Sequence, residues 1–98
     1  MIINKTLNGS ALILAPEGRL DTTTAPELEA VLRDSLAGVE NLTFDLEKLE
    51  YISSAGLRVL LSAQKIMNKQ GSMKLLHVSD MIMEIFEVTG FSDILTIE

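Results

Sequence analysis

Residues 51–61 read YISSAGLRVLL, and within them two adjacent hydroxyls, Ser53 and Ser54, are followed by the small residues Ala55 and Gly56. A serine so placed can be a nucleophile, a phosphate ligand, a helix cap or an acceptor of a modification. Nucleophilic use requires a base within hydrogen-bond reach and a third group that orients it. The only histidine is His77, in KLLHV, where it reads as a structural or strand-end residue. SSAG also lacks the flanking glycines of a nucleophile elbow. No catalytic residue is assigned and no enzymatic activity is expected. A phosphate-cradling loop would need G-x-x-x-x-G-K or G-x-G-x-x-G, and neither occurs. Asp21, Asp45, Glu47 and Glu50 have neither the spacing of a calcium loop nor a histidine partner in sequence, so they read as solvated charges. Neither metal nor cofactor is expected.

Two readings of the serines remain. A serine between a strand and a helix commonly caps the helix by accepting a hydrogen bond from a first-turn amide. A hydroxyl at the same place is also well suited to carry a phosphate. The orphan amides and the helix dipole favour negative charge there by about 0.3–1 kcal/mol at an exposed site. Arg58 lies four residues after Ser54, on the same helical face, where it can meet a phosphate. Adding a charge of about −2 would be tolerated by the domain and would disrupt a partner docked over this end of the helix.

The elements that must position these groups follow from periodicity. Ile2–Leu7 and Ala11–Ala15 read as strands joined by the turn dipeptide Asn8-Gly9, making an N-terminal hairpin. Pro16 and Gly18 break or bend the second strand, which resumes at Arg19-Leu20. DTTTAP (21–26) opens a helix, with Thr24 and Glu27 in a T-x-x-E capping box, Leu28, Val31, Leu32 and Leu36 at helical spacing, and Gly38 as the stop. Asn41–Leu46 returns to strand, with Leu42, Phe44 and Leu46 on one face. A helix runs from Leu57 with Leu60, Leu61 and Met67 apolar, carries Arg58, Ser62, Lys65 and Lys69 as a polar stripe, and stops at Gly71. Met73–Val78 is a strand. Ser79 or Asp80 caps a third helix with a core stripe of Ile82, Ile85 and Phe86, ended by Gly90, and Ile94–Ile97 closes the chain as strand or short helix.

The 98 residues favour a single domain spanning 1–98. Composition is globular, with 47% apolar and 22% charged residues. A formal charge of −6, from 14 acidic against 8 basic side chains, argues against nucleic acid and anionic membrane surfaces as partners. With no cysteine, disulfides, thiolate zinc sites and thiol catalysis are excluded. MIINKTLNGS does not have the charged and long apolar regions of a signal peptide, and no apolar run approaches the roughly 20 residues of a membrane span. A cytoplasmic location is therefore expected.

DLEKLEYISSAGLRVLL (45–61) resembles the signature of STAS domains, the family of bacterial anti-sigma factor antagonists and of the cytoplasmic domain of sulfate transporters. In that family a buried strand ending in Asp leads through an apolar loop to an Asp-Ser-Ser/Thr-Gly-Leu turn and a helix. GRLDTTTAPEL (18–28) is similar to the family's Gly-x-Leu-Asp segment, and FEVTGFSDIL (86–95) to its C-terminal pattern, so the resemblance covers nearly the whole chain. It implies an α/β fold: a four- or five-stranded mixed sheet with helices packed mainly on one face. It further implies an antagonist that binds an anti-sigma factor, itself a serine kinase, and so releases a sigma factor. The kinase inactivates such antagonists by phosphorylating a serine that aligns with Ser54, and a metal-dependent phosphatase of the PP2C type restores them.

Two positions depart from the family motif. Its Asp is Ser53 here, which makes Ser53 a competing acceptor or a small cap, and its second Ser/Thr is Ala55. Asp21, Thr22 and Thr23 are expected to join Ser53, Ser54, Ala55, Gly56 and Arg58 in the partner-binding surface, or else to serve as helix caps. The resemblance also admits a scaffold or sensor module that is never phosphorylated. On the third helix Met81, Met83 and Val88 fall off the core stripe, as a docking patch, a site of weak self-association or scattered surface residues.

Overall fold

The N-terminal hairpin is present in the computed structural model, which describes residues 1–98. Strand β1 (Ile2–Asn8) pairs antiparallel with β2 (Ala11–Leu20), from Asn8 opposite Ala11 to Ile2 opposite Glu17, so the turn is centred on Gly9-Ser10, one residue later than the sequence suggested. Then follow α1 (Ala25–Ser35), β3 (Asn41–Asp45), β4 (Leu49–Ile52), α2 (Ser54–Gln70), β5 (Ser72–Leu76), α3 (Asp80–Thr89) and a short 3-10 turn at Phe91–Asp93. Five strands form a mixed sheet in the order β1-β2-β3-β5, with β4 also paired to β2. The architecture is the expected α/β one.

β2 does not break at Pro16 and Gly18; it changes partners there. Its first half pairs in parallel with β3, from Ala11–Asn41 to Leu14–Phe44, and its end pairs in parallel with β4, from Gly18–Leu49 to Leu20–Ile52. Pro16, which has no N–H to donate, falls in the gap between the two ladders. The register shifts between Gly18 and Arg19, and Gly18 sits at φ +96°, a left-handed value that side-chain-bearing residues seldom adopt. β4 carries no periodic signal in the sequence. Four residues are too few to display a period, and its reason to be extended is the free edge that β2 presents after Leu14.

Pleating sets the core. Leu12, Leu42 and Met73 align across β2, β3 and β5, as do Leu14, Phe44 and Leu75, and all six are buried. Leu28 and Leu32 of α1, Leu57, Leu60, Ala63 and Met67 of α2, and Ile82 and Phe86 of α3 join them in one apolar cluster. Ile13, on the other face, remains exposed. The polar stripe Arg58, Ser62, Lys65 and Lys69 faces solvent, as its spacing requires.

Two local expectations are corrected. Thr24 does precede α1, but at φ −98°, ψ −21° its backbone is already helical and its side chain makes no capping bond. Its hydroxyl donates to the Arg19 carbonyl (2.7 Å) and accepts from the Asp21 amide (2.8 Å), while Glu27 pairs with the N-terminal ammonium (3.3 Å), so no capping box forms. β5 ends at Leu76 because His77 turns the chain at φ +56°. The β character expected of Ile94–Ile97 takes the form of a single bridge, Leu75 to Ile97.

The packing of α2 against the sheet depends on Gly56. A Cβ there would lie 2.7 Å from Leu20 Cγ and 2.8 Å from Ile52 Cγ1, both in fully buried side chains that have nowhere to move. Gly56→Ala is expected to cost about 1–3 kcal/mol in overpacking, which outweighs the roughly 1 kcal/mol that alanine contributes through helix propensity. Urea denaturation should show a lowered midpoint at unchanged slope.

Candidate functional site

Because β2 and β4 run parallel with Arg19 beside Tyr51 and Leu20 beside Ile52, the segments that follow them leave the sheet at the same end. One is Asp21–Thr24, the other Ser53–Ser54. The Ser53 amide donates to the Leu20 carbonyl at 2.8 Å, which continues the ladder into the turn and fixes the start of α2 beside Asp21.

The two serines differ in their surroundings. Ser53 is the N-cap: its backbone is extended (φ −98°, ψ 176°) and its Oγ accepts from the Gly56 amide, though at a long 3.5 Å. Ser54 is the first helical residue; it is exposed and its hydroxyl has no partner within the protein. The first-turn amides of Ser54 and Ala55 lack a carbonyl four residues back, as at any helix start. Arg58, one turn further on, is exposed and makes no ion pair. This end of a 17-residue helix therefore combines a free hydroxyl, unsatisfied donors and an unpaired guanidinium.

The β2–α1 connection is stiff. Asp21 Oδ1 accepts from the Thr23 hydroxyl (2.8 Å), the Thr23 amide (3.0 Å) and the Thr24 amide (3.2 Å). These bonds, that from the Thr23 hydroxyl above all, hold the Asp21 carboxyl below the usual aspartate range. Arg19 lies 4.4 Å over the Tyr51 ring and 3.8 Å from Asp21 Oδ2, cross-linking the two strand ends. Thr22 is exposed and lines a shallow cleft of about 370 Å³ between α1 and α2, together with Pro26, Glu29, Ala55, Arg58 and Ser62. Of the residues expected at the surface, the cleft unites Thr22, Ala55 and Arg58. Asp21 and Thr23 are engaged with each other, and Gly56 is buried and serves as a spacer beneath the surface.

The STAS domain profile matches residues 3–98. This chain belongs to the STAS domain family. It is 39% identical over 85 residues to a putative anti-sigma factor antagonist, BtrV, of Bordetella bronchiseptica, covering 85% of this chain and 73% of that protein. It is 36% identical over 80 residues to the anti-sigma-B factor antagonist of Staphylococcus aureus, covering 80% of this chain and 74% of the relative. Its fold is that of the Bacillus cell fate determinant SpoIIAA in its phosphorylated form, with a TM-score of 0.77 at 16% identity over 99% of this chain and 91% of that one. No helix of this STAS domain is long and apolar enough to cross a membrane.

Two features of the STAS domain differ from the expectation set by its sequence. Asp45 does have a histidine partner: its Oδ1 lies 2.8 Å from Nδ1 of His77, 32 residues away. The parallel β3–β5 ladder pairs Asp45 with Leu76 and so delivers the next residue. A histidine just past a strand paired to one ending in aspartate was the available signal. The Asp45 bond and charge hold the His77 pKa above its ordinary value of 6.5, and His77 in turn lowers Asp45. On α3, Met81 and Val88 are exposed as expected, whereas Met83, expected off the core stripe, is half-buried and packs on the core as Ile85 does; Ile85 also lines a groove with Met81 and Val88.

Two predictions follow from this geometry. Ser53→Ala should cost about 0.5–1 kcal/mol through the lost cap, and Ser54→Ala should stay within about 0.5 kcal/mol, both read from chemical denaturation. In metal-free buffer, NMR titration of the His77 ring should give a pKa above 6.5 that falls on Asp45→Asn. Since the folded-state value is the raised one, the His77 contribution to stability is fully present below the unfolded pKa and is lost as pH rises through the folded pKa.

Proposed function

We propose that this chain is an anti-sigma factor antagonist whose binding is switched by phosphorylation of Ser54. The observation that carries the reading is the exposed, unpartnered hydroxyl of Ser54 at the start of α2, one turn before the unpaired Arg58. The curated relatives support it by their names, and the fold neighbour SpoIIAA occurs in a phosphorylated form.

In this reading the unmodified surface around Ser54, Thr22, Ala55 and Arg58 binds an anti-sigma factor that is also a serine kinase, and the sigma factor is released. The kinase moves the γ-phosphoryl group of ATP to Ser54 Oγ, ADP leaves, and a kinase base takes the hydroxyl proton. The phosphate is accommodated by the first-turn amides, the helix dipole and Arg58, at little cost to the domain. Its charge of about −2 falls on a surface built to meet the kinase, and the complex dissociates. A PP2C-type phosphatase hydrolyses the phosphoester and returns the chain to its binding form. The protein itself performs no catalysis, and the cycle runs in the cytoplasm.

Ser53 is the poorer acceptor. Its Oγ accepts from the Gly56 amide, its own amide is bound to Leu20, and it is less exposed than Ser54. Phosphorylating it would first require its Oγ to leave the Gly56 amide.

The test is mass analysis with site mapping after incubation with ATP and the anti-sigma kinases of the source organism, followed by binding measurements on each form. One phosphoryl group on Ser54 is expected, absent in Ser54→Ala and retained in Ser53→Ala. Ser54→Asp should weaken kinase binding by roughly tenfold or more, equivalent to about 1.4 kcal/mol. Retained binding with no phosphoryl transfer by any kinase would replace the switch with a scaffold or sensor role.

A further inference from the structure

A second cluster of chemistry-bearing side chains lies at the junction of the β3–β4 and β5–α3 connections, and the function proposed above does not use it. Asp45 ends β3, Glu47 lies two residues on, and His77 follows β5. One donor atom from each (a carboxylate oxygen of Asp45 and of Glu47, and an imidazole nitrogen of His77) lies within 4.8 Å of the other two. We propose that Asp45, Glu47 and His77 form a binding site for a divalent transition-metal ion of the zinc class.

The distances suit such an ion. Ligand atoms at roughly 2.0–2.1 Å from a common metal, with angles between about 90° and 109°, stand about 2.9–3.4 Å apart. Asp45 Oδ1 and His77 Nδ1 are already 2.8 Å apart, so an ion that displaces the proton between them, released to solvent, needs only a small opening. The exposed Glu47 closes the set by a side-chain rotation. Asp45 is held for the purpose: the Glu47 amide donates to Oδ1 at 3.1 Å, while Oδ2 has no donor within the protein. The backbone holds both strand ends in place, since the Leu46 amide donates to the Leu76 carbonyl at 2.9 Å.

The donor types select the metal. An imidazole nitrogen with two carboxylates favours zinc or nickel over magnesium or calcium, which prefer an all-oxygen shell of six or more ligands. His77 is 58% exposed, so an ion reaches the site from solvent and water completes its coordination. Lys48, beside Asp45 and Glu47, opposes the ion's charge. With the imidazole neutral, as ligation requires, two carboxylates against one ammonium leave a net negative site. Bound metal would tie the β3–β4 connection to the one that opens α3.

The experiment is calorimetric titration of the chelator-treated protein with zinc chloride, repeated with calcium and magnesium chloride, alongside NMR of the His77 ring. Saturable binding at one zinc per chain is expected, with His77 ring resonances shifted. His77→Asn, chosen because asparagine tolerates the left-handed backbone at this position, should weaken zinc binding by roughly tenfold or more, as should Glu47→Gln. Calcium and magnesium should not saturate the site. Absence of one-to-one zinc binding, or zinc affinity unchanged in both variants, would overturn the proposal. Neither result bears on Ser54, whose phosphorylation is read independently.

Discussion

Three residues at the end of β2 and the four of β4 bear the geometry of the hydroxyl-bearing end of this STAS domain. Their short parallel ladder, extended by the Ser53–Leu20 bond, decides where α2 begins. The helix can begin there only because position 56 has no side chain, so its backbone settles onto Leu20 and Ile52. The ladder and the close approach are interdependent. Without the ladder, Ser53 would have no fixed neighbour; without Gly56, the first turn would be lifted from the sheet and the cap would move with it.

That constraint gives two chemically identical hydroxyls different environments. Ser53 is turned into the backbone network and Ser54 is presented to solvent, one residue apart. The local electrostatics follow the same division. Asp21 has its Oδ1 satisfied by Thr23 and Thr24 and its Oδ2 facing Arg19, so its charge stiffens the neighbouring connection. Arg58 remains uncommitted. The surface is thus rigid in backbone and open in side chain, a suitable combination for recognition by another protein.

Much of this could be read from the chain itself. Apolar spacing located all three helices because each buries a stripe, and alternation located the longer strands for the same reason. What sequence could not resolve was long-range pairing. β4 is too short to carry a period and is extended only because β2 offers it an edge. Asp45 and His77 are far apart in the chain and meet through the β3–β5 register. The capping box failed for a related reason: Thr24 had the right neighbour at Glu27, but tertiary contacts to Arg19 and the chain's amino end claimed both side chains. At the serines, the residue types indicated a cap; only the backbone angles at Ser53 decided which serine provides it.

The bulge at Gly18 divides the sheet into two ladders that share β2 as their only common strand. The β1-β2-β3-β5 ladder carries most of the core, while the β2-β4 ladder carries the start of α2. The segment between them, residues 46–48, crosses from one to the other without contributing a strand to either. Leu46 anchors that crossing in the core, whereas Glu47 and Lys48 are exposed, so change there can recharge the surface beside it while the load of folding stays with the buried strands.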